Sequence, residues 1–263
     1  MQKDVLTNRG RGRKQAVIEI KNLQYTYENS KETVIRDLSL TVQDGEFVCV
    51  LGHSGCGKST LIHLLAGLLP LQSGSITRDG RNMNVPGMDR AVVFQQYSLF
   101  PWQTVRGNVL FAMKKSRRFG KEEMERRADL FLGKTGMENA QDKYPYQLSG
   151  GMRQRTAIAR ALASGAEVLL LDEPFGALDP AIRADLQKLL RKLWKEEKKT
   201  VIFVTHDLDE ALAMGTRIVF MRNGAIEREM EISERISECC AGSKGYSDCR
   251  ELRASLEEWF HES

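Results

Sequence analysis

The 263-residue sequence predicts an α/β protein with a mostly parallel sheet and a helical insert. Three observations predict it. Short apolar runs recur without polar alternation, as strands do when both faces of a parallel sheet are covered. One of these runs passes directly into a glycine-rich loop and then an apolar helix. From about residue 97 to 165 the strand signal disappears and helical periodicity dominates. The length leaves room for one or two domains of about 150 residues. With 41% hydrophobic and 28% charged residues, wholesale disorder and a membrane-embedded body are both excluded.

The elements follow in chain order. Residues 1–15 read as a basic tail, since the first fourteen carry five cations against one Asp, and no apolar run follows that would make a secretory signal. Strands are expected at 17–20 (VIEI), 47–51 (FVCVL), 91–94 (AVVF), 168–171 (VLLL), 201–204 (VIFV) and 218–221 (IVFM), all read as buried. The stretch Leu61 to Leu71, interrupted by His63 and Gly67, is a core helix, too short for a membrane span of about 20 residues. In the insert, Met124, Ala128 and Phe131 share a helix face. Between 181 and 199, Leu186, Leu189, Leu190, Leu193 and Trp194 recur at helical spacing and lead into the strand at 201. Near the end, Leu252, Leu256, Trp259 and Phe260 line one stripe of a helix with Asp248 near its start. The expected division is a core of 16–96 and 166–224, an insert of 97–165 and a short appendage of 225–263.

The net charge of +4 is weak and uneven, with five cations against ten acidic residues in 225–263, and direct nucleic-acid binding is not expected. Five cysteines at 49, 56, 239, 240 and 249 are an odd number and fit a reducing, cytoplasmic setting. Cys239, Cys240 and Cys249 lack the paired two-residue spacings of a zinc site.

Chemistry concentrates in three places. Gly52-His53-Ser54-Gly55-Cys56-Gly57-Lys58-Ser59-Thr60 follows a strand and opens a helix, the context of a Walker A phosphate loop. Its glycines let successive N–H groups converge on phosphate oxygens, Lys58 would reach the β and γ phosphates, and the Ser59 hydroxyl would hold magnesium. Val168 to Leu171 then delivers Asp172 and Glu173 to the carboxyl end of a strand, where open α/β sheets bind ligands. Asp172 would support the magnesium shell, and Glu173 would accept a proton from an attacking water or orient it. The third place is Ser149-Gly150-Gly151, a turn opening a helix and a second anion-binding device. One phosphate group cannot easily use both.

The order phosphate loop, LSGG, VLLLDEP, GALD and VTHD resembles an ABC-type ATPase subunit across residues 16–224. The resemblance implies a P-loop NTPase of ABC type, with a RecA-like core, an antiparallel β part and an inserted helical subdomain. It implies ATP and Mg2+ as cofactors, and two subunits paired head to tail so that Ser149, Gly150 and Gly151 of one close over the γ-phosphate bound by Lys58 of the other. It further implies that Gln95 watches the magnesium and the water, that Asp179 links the two sites and that His206 braces the γ-phosphate. Tyr27 matches the residue that stacks on adenine, with Tyr25 the alternative, and Gln96 is the alternative to Gln95. Met152 stands where the family signature most often has Gln. Cys56 is either a small space-filling residue or a thiol activated by the helix N-terminus.

Residues 97–105 (YSLFPWQTV) expose an aromatic set, which the resemblance reads as a groove for coupling helices of a transmembrane permease. DRAVVFQ, LFPW and LSGGMRQR together look like the nitrate, sulfonate and taurine importer group. That implies permease subunits, an extracytoplasmic solute-binding protein reached through them, and a place at the cytoplasmic face of the membrane. The other readings are a soluble ABC ATPase acting on ribosomes or DNA, an ABC subunit of another transporter class, and a regulatory subunit that binds ATP without turnover.

Overall fold

The computed structural model describes residues 16–28, 30–116, 118–176, 178–232 and 247–261. The expected basic tail at 1–15 and the pair Cys239 and Cys240 lie outside the described residues. Strands β1 (Ala16–Thr26), β2 (Thr33–Gln43), β4 (Ser73–Arg78) and β5 (Arg81–Asn82) form an antiparallel sheet in the order β2-β1-β4-β5. Strands β3 (Phe47–Leu51), β6 (Arg90–Val93), β7 (Val168–Asp172), β8 (Thr200–Thr205), β9 (Arg217–Arg222) and β10 (Ala225–Glu231) form the second sheet, in the order β10-β9-β3-β8-β7-β6. Every pairing in it is parallel except that of β10, which runs antiparallel along β9 at the edge.

The larger sheet is covered on both faces, and β3 shows how. All five of its residues are buried. Phe47, Cys49 and Leu51 join one apolar cluster with Phe203 and Phe220, while Val48 and Val50 join another with Ile202 and Val219. Successive side chains of a strand point to opposite faces, so an unbroken apolar run is what two covered faces require. Helix α1 (Lys58–Ala66) and the antiparallel sheet pack on the second cluster. The first is covered by α4 (Gly150–Ala163), α5 (Pro180–Glu197), α6 (Leu208–Met214) and α7 (Ser247–His261). The insert consists of α2 (Val105–Ser116), α3 (Lys121–Lys134), two 3-10 turns at Glu138–Ala140 and Pro145–Gln147, and α4. Ala128 and Phe131 of α3 are buried, and Met124 packs beside them.

Several expectations are corrected. The strand expected at 17–20 belongs to the antiparallel sheet rather than to the doubly covered one, and it extends to Thr26; Ile18 and Ile20 face the core and Glu19 does not. The helix expected to reach Leu71 stops at Ala66, where Gly67 adopts a left-handed cap. β10 lies within the segment read as an appendage, yet it completes the core sheet. Its alternation is hidden by four charges in seven residues on an exposed edge. Among the described residues, no helix is long and apolar enough to cross a membrane.

Candidate active site

The glycine-rich loop 52–57 joins β3 to α1 at the carboxyl end of the parallel strands. Gly57 sits at φ 107°, a left-handed conformation that a side chain would strain. Gly52 has no room for a Cβ, which would lie 2.2 Å from the Met221 carbonyl oxygen. Both constraints keep the loop wrapped tightly over the helix N-terminus. Lys58 is buried, and its Nζ donates to the carbonyls of Gly52 and His53, each at 2.9 Å. The ammonium group therefore rests on the loop it serves. The Ser59 hydroxyl donates to Asp172 Oδ1 at 2.9 Å, so the strand end and the loop meet through two oxygen donors.

Asp172 is buried at the end of β7, and burial pushes its carboxyl above the usual aspartate range in spite of the Ser59 hydrogen bond and the nearby cations. Glu173, the next residue, has a φ of 42°, uncommon for a residue with a side chain. The turn places its carboxylate between two partners: Oε1 lies 3.9 Å from Lys58 Nζ, and Oε2 lies 3.2 Å from His206 Nδ1. His206 follows β8 and is half exposed. Asp207, beside it, caps α6 and pairs with Arg183 at 3.0 Å. Gln95 is exposed, and a Cβ built at Gly176 would lie 3.3 Å from Gln95 Nε2 and 3.8 Å from Glu173 Oε2, so both side chains border the same space. Ser59 and Asp172 offer only oxygen, which suits a hard cation such as magnesium. Among the described residues no group of three or more His, Cys, Asp or Glu could form a metal cage.

A family model described as ABC transporter matches residues 35–176 of this arrangement. The chain belongs to the ABC transporter family. The nitrate import ATP-binding protein NrtD of Synechococcus elongatus is 49% identical over 201 residues, covering 76% of this chain and 73% of that protein. The taurine import ATP-binding protein TauB of Escherichia coli K12 is 46% identical over 210 residues, covering 79% and 80%. Among solved structures, the dimeric post-hydrolysis cassette MJ0796 bound to ADP and Pi superposes with a TM-score of 0.74 at 34% identity, covering 82% of this chain and 99% of that one.

The remaining ABC motif residues occupy separate places. Tyr25 is buried, whereas Tyr27 is exposed and its hydroxyl lies 3.0 Å from Thr60 Oγ1; the two rings meet edge-on at 5.0 Å. Of the two tyrosines, only Tyr27 keeps an open face beside the loop. Gln96, the alternative to Gln95, is also exposed. Ser149 is exposed and caps α4, its Oγ accepting from Met152 N at 3.3 Å, with Gly150 and Gly151 in the first turn. Asp179 is exposed and caps α5 by accepting from Ile182 N at 3.1 Å. Of the two readings of Cys56, the space-filling one is favoured: burial pushes its thiol up against the opposing influence of Lys58.

The sequence reading missed Arg160. This α4 residue donates to the carbonyls of Ser98 at 2.6 Å and Tyr97 at 3.2 Å, two consecutive left-handed residues at φ 45° and 60°. The Tyr97 hydroxyl in turn lies against Gly150, where a Cβ would stand 3.2 Å away. The segment after Gln95 is thereby tied to the Ser-Gly-Gly turn. A lone Arg on a helix gives no sequence signal for a contact 62 residues away.

Proposed function

We propose that this chain is the ATP-hydrolysing subunit of a membrane importer for a small anion of the nitrate, sulfonate or taurine type. The observation that carries the reading is the convergence of Lys58, Glu173 and His206 beside the Ser59 and Asp172 pair. Nitrate and taurine import by two relatives supports the solute class.

In the proposed mechanism, the loop amides of His53 to Thr60 receive the phosphates and Tyr27 stacks on adenine. Lys58 turns from the Gly52 and His53 carbonyls toward the β and γ phosphates. Ser59, Asp172 and Gln95 would hold magnesium, which would supply neutralisation of the phosphate charge. Glu173 accepts a hydrogen bond from the attacking water and receives its proton, while His206 donates to the γ-phosphoryl oxygens as charge develops. The exposed Ser149 of a second copy, with the Gly150 and Gly151 amides behind it, closes the site, and Asp179 carries the link between the two sites. The exposed Trp102, with Phe100 beside it at 5.5 Å between ring centroids, presents an aromatic surface to permease subunits, which connect to an extracytoplasmic solute-binding protein. The chain then works as a peripheral subunit on the cytoplasmic face of the membrane.

The test is Glu173→Gln, which keeps the shape of the side chain and removes the proton acceptor. Hydrolysis should fall at least about 100-fold, the range for loss of general-base assistance, while ATP binding persists and a nucleotide-bound dimer accumulates on gel filtration. Turnover at the wild-type rate would remove Glu173 from this role.

A further inference from the structure

Helix α7 lies beyond residues 35–176, the part matched by the family model, yet its last turn packs on the phosphate loop. The Phe260 ring meets the His53 ring edge-on at 4.5 Å between centroids, and the Phe260 carbonyl oxygen is 3.1 Å from His53 Nε2. Facing a carbonyl, Nε2 carries the hydrogen and donates. That end of α7 is itself well fixed. Phe220 of β9 lies 5.3 Å from Phe260, Arg222 donates to the Trp259 carbonyl, Arg253 pairs with Asp209 at 2.5 Å, and Leu256 is fully buried.

His53 has a second set of partners through its backbone. Its carbonyl accepts from Lys58 Nζ at 2.9 Å and from Cys56 N at 3.3 Å. The residue gripped by α7 through its ring is therefore the residue that steadies the lysine and the loop turn through its peptide. Gly224 N donates to the Cys56 carbonyl at 3.1 Å, but the first part of the loop is open to solvent: His53, Ser54 and Gly55 are exposed, and a groove of about 570 Å³ runs beside them between Arg36 and Arg222 with Phe260 in its wall. A glycine-containing loop left free would lose conformational entropy on closing around an anion, and a loop already held would lose less.

We infer that His53 and Phe260 are positioning residues, through which α7 braces the phosphate loop in its binding form and sets the affinity for nucleotide. The inference rests on the ATP-hydrolase reading. It is tested by titrating a fluorescent ADP analogue into the full-length protein and measuring ATP hydrolysis in the assembled transporter. Phe260→Ala should raise both Kd and KM about 5- to 10-fold, with kcat within about twofold of wild type. Phe260→Tyr, which keeps the ring, should restore the wild-type values. His53→Ala, at an exposed position that does not endanger folding, should weaken binding similarly, and the double variant no further. Unchanged or tighter binding in His53→Ala overturns the brace, and so does a fall in kcat without a change in KM. If Phe260→Ala fails to fold, His53→Ala decides alone. Wild-type protein that bound no ADP would overturn the hydrolase reading itself, whereas wild-type binding with unaltered variants overturns only the brace.

Discussion

At Asp172 burial and hydrogen bonding act on the carboxyl group in opposite directions, and burial is the larger effect. Its pKa in the folded protein lies above the ordinary 3.8. The folded state thus holds this proton more tightly than the unfolded chain does. The group's stabilising contribution is complete below the unfolded pKa and is lost as pH rises through the folded value. Once ionised, the buried carboxylate therefore costs the nucleotide-free protein stability. Asp172→Asn keeps an oxygen to accept from Ser59 and removes that cost, so the unliganded variant should melt at a higher temperature at pH 7, with no gain at pH 3.5. Its magnesium-dependent hydrolysis should be lost. A melting temperature below wild type at pH 7 would show that the ionised form stabilises the fold. At this scale the sequence is most informative where chemistry is local. Lys58 and Ser59 sit six and seven residues beyond Gly52, in the first helical turn after the loop, and the pattern of types and spacing determines what they face. Cys56 is less legible, because its thiol answers to burial, and the neighbours of its loop, Met221 and Gly224, lie far along the chain.

Elements are legible in proportion to how completely they are buried. The strands of the parallel sheet read as unbroken apolar runs because both of their faces are covered, and all five lie within one or two residues of their expected positions. β2 escapes the sequence reading although Leu38, Leu40 and Val42 point inward, since Arg36, Asp37, Ser39 and Thr41 break the run. A strand with one wet face alternates with period 2 and offers no continuous apolar stretch. β10 and the tie between α4 and the loop after Gln95 are illegible for another reason: their meaning lies in a partner element. Arg160 is the case with a measurable consequence. Its guanidinium holds the carbonyls of two residues that each lose about 1–2 kcal/mol to a left-handed conformation. Charge-assisted hydrogen bonds of about 1.5–3 kcal/mol offset that strain. Arg160→Ala should lower stability by about 2 kcal/mol and let Tyr97 leave Gly150. Stimulation of hydrolysis by the permease should fall more than nucleotide affinity does. Arg160→Lys, with one point donor in place of a planar fork, should recover stimulation only in part. Equal loss of affinity and stimulation would mean that Arg160 merely supports the fold.

For the whole molecule, the proposed function poses a problem of geometry: how one phosphate group would be reached by two turns of the anion-binding kind. The loop before α1 stands at the end of β3 in the core, whereas Ser149 opens α4 in the insert and faces solvent. The proposed head-to-tail pair would satisfy both, each copy supplying Lys58 to one pocket and Ser149 to the other. Ser149→Arg tests this, because an N-cap change costs only about 1 kcal/mol against a total stability of about 5–15 kcal/mol, and the chain stays folded. The bulky cation should nevertheless abolish hydrolysis by blocking the facing pocket. Lys58→Ala should abolish it as well, through the other half. Mixed in equal amounts, the two inactive proteins should regain about a quarter of wild-type activity, since random pairing makes half of the dimers mixed and each of these holds one intact pocket. Activity in Ser149→Arg alone would mean that one copy completes its own site, and failure of the mixture to recover would mean that hydrolysis at one pocket requires the other.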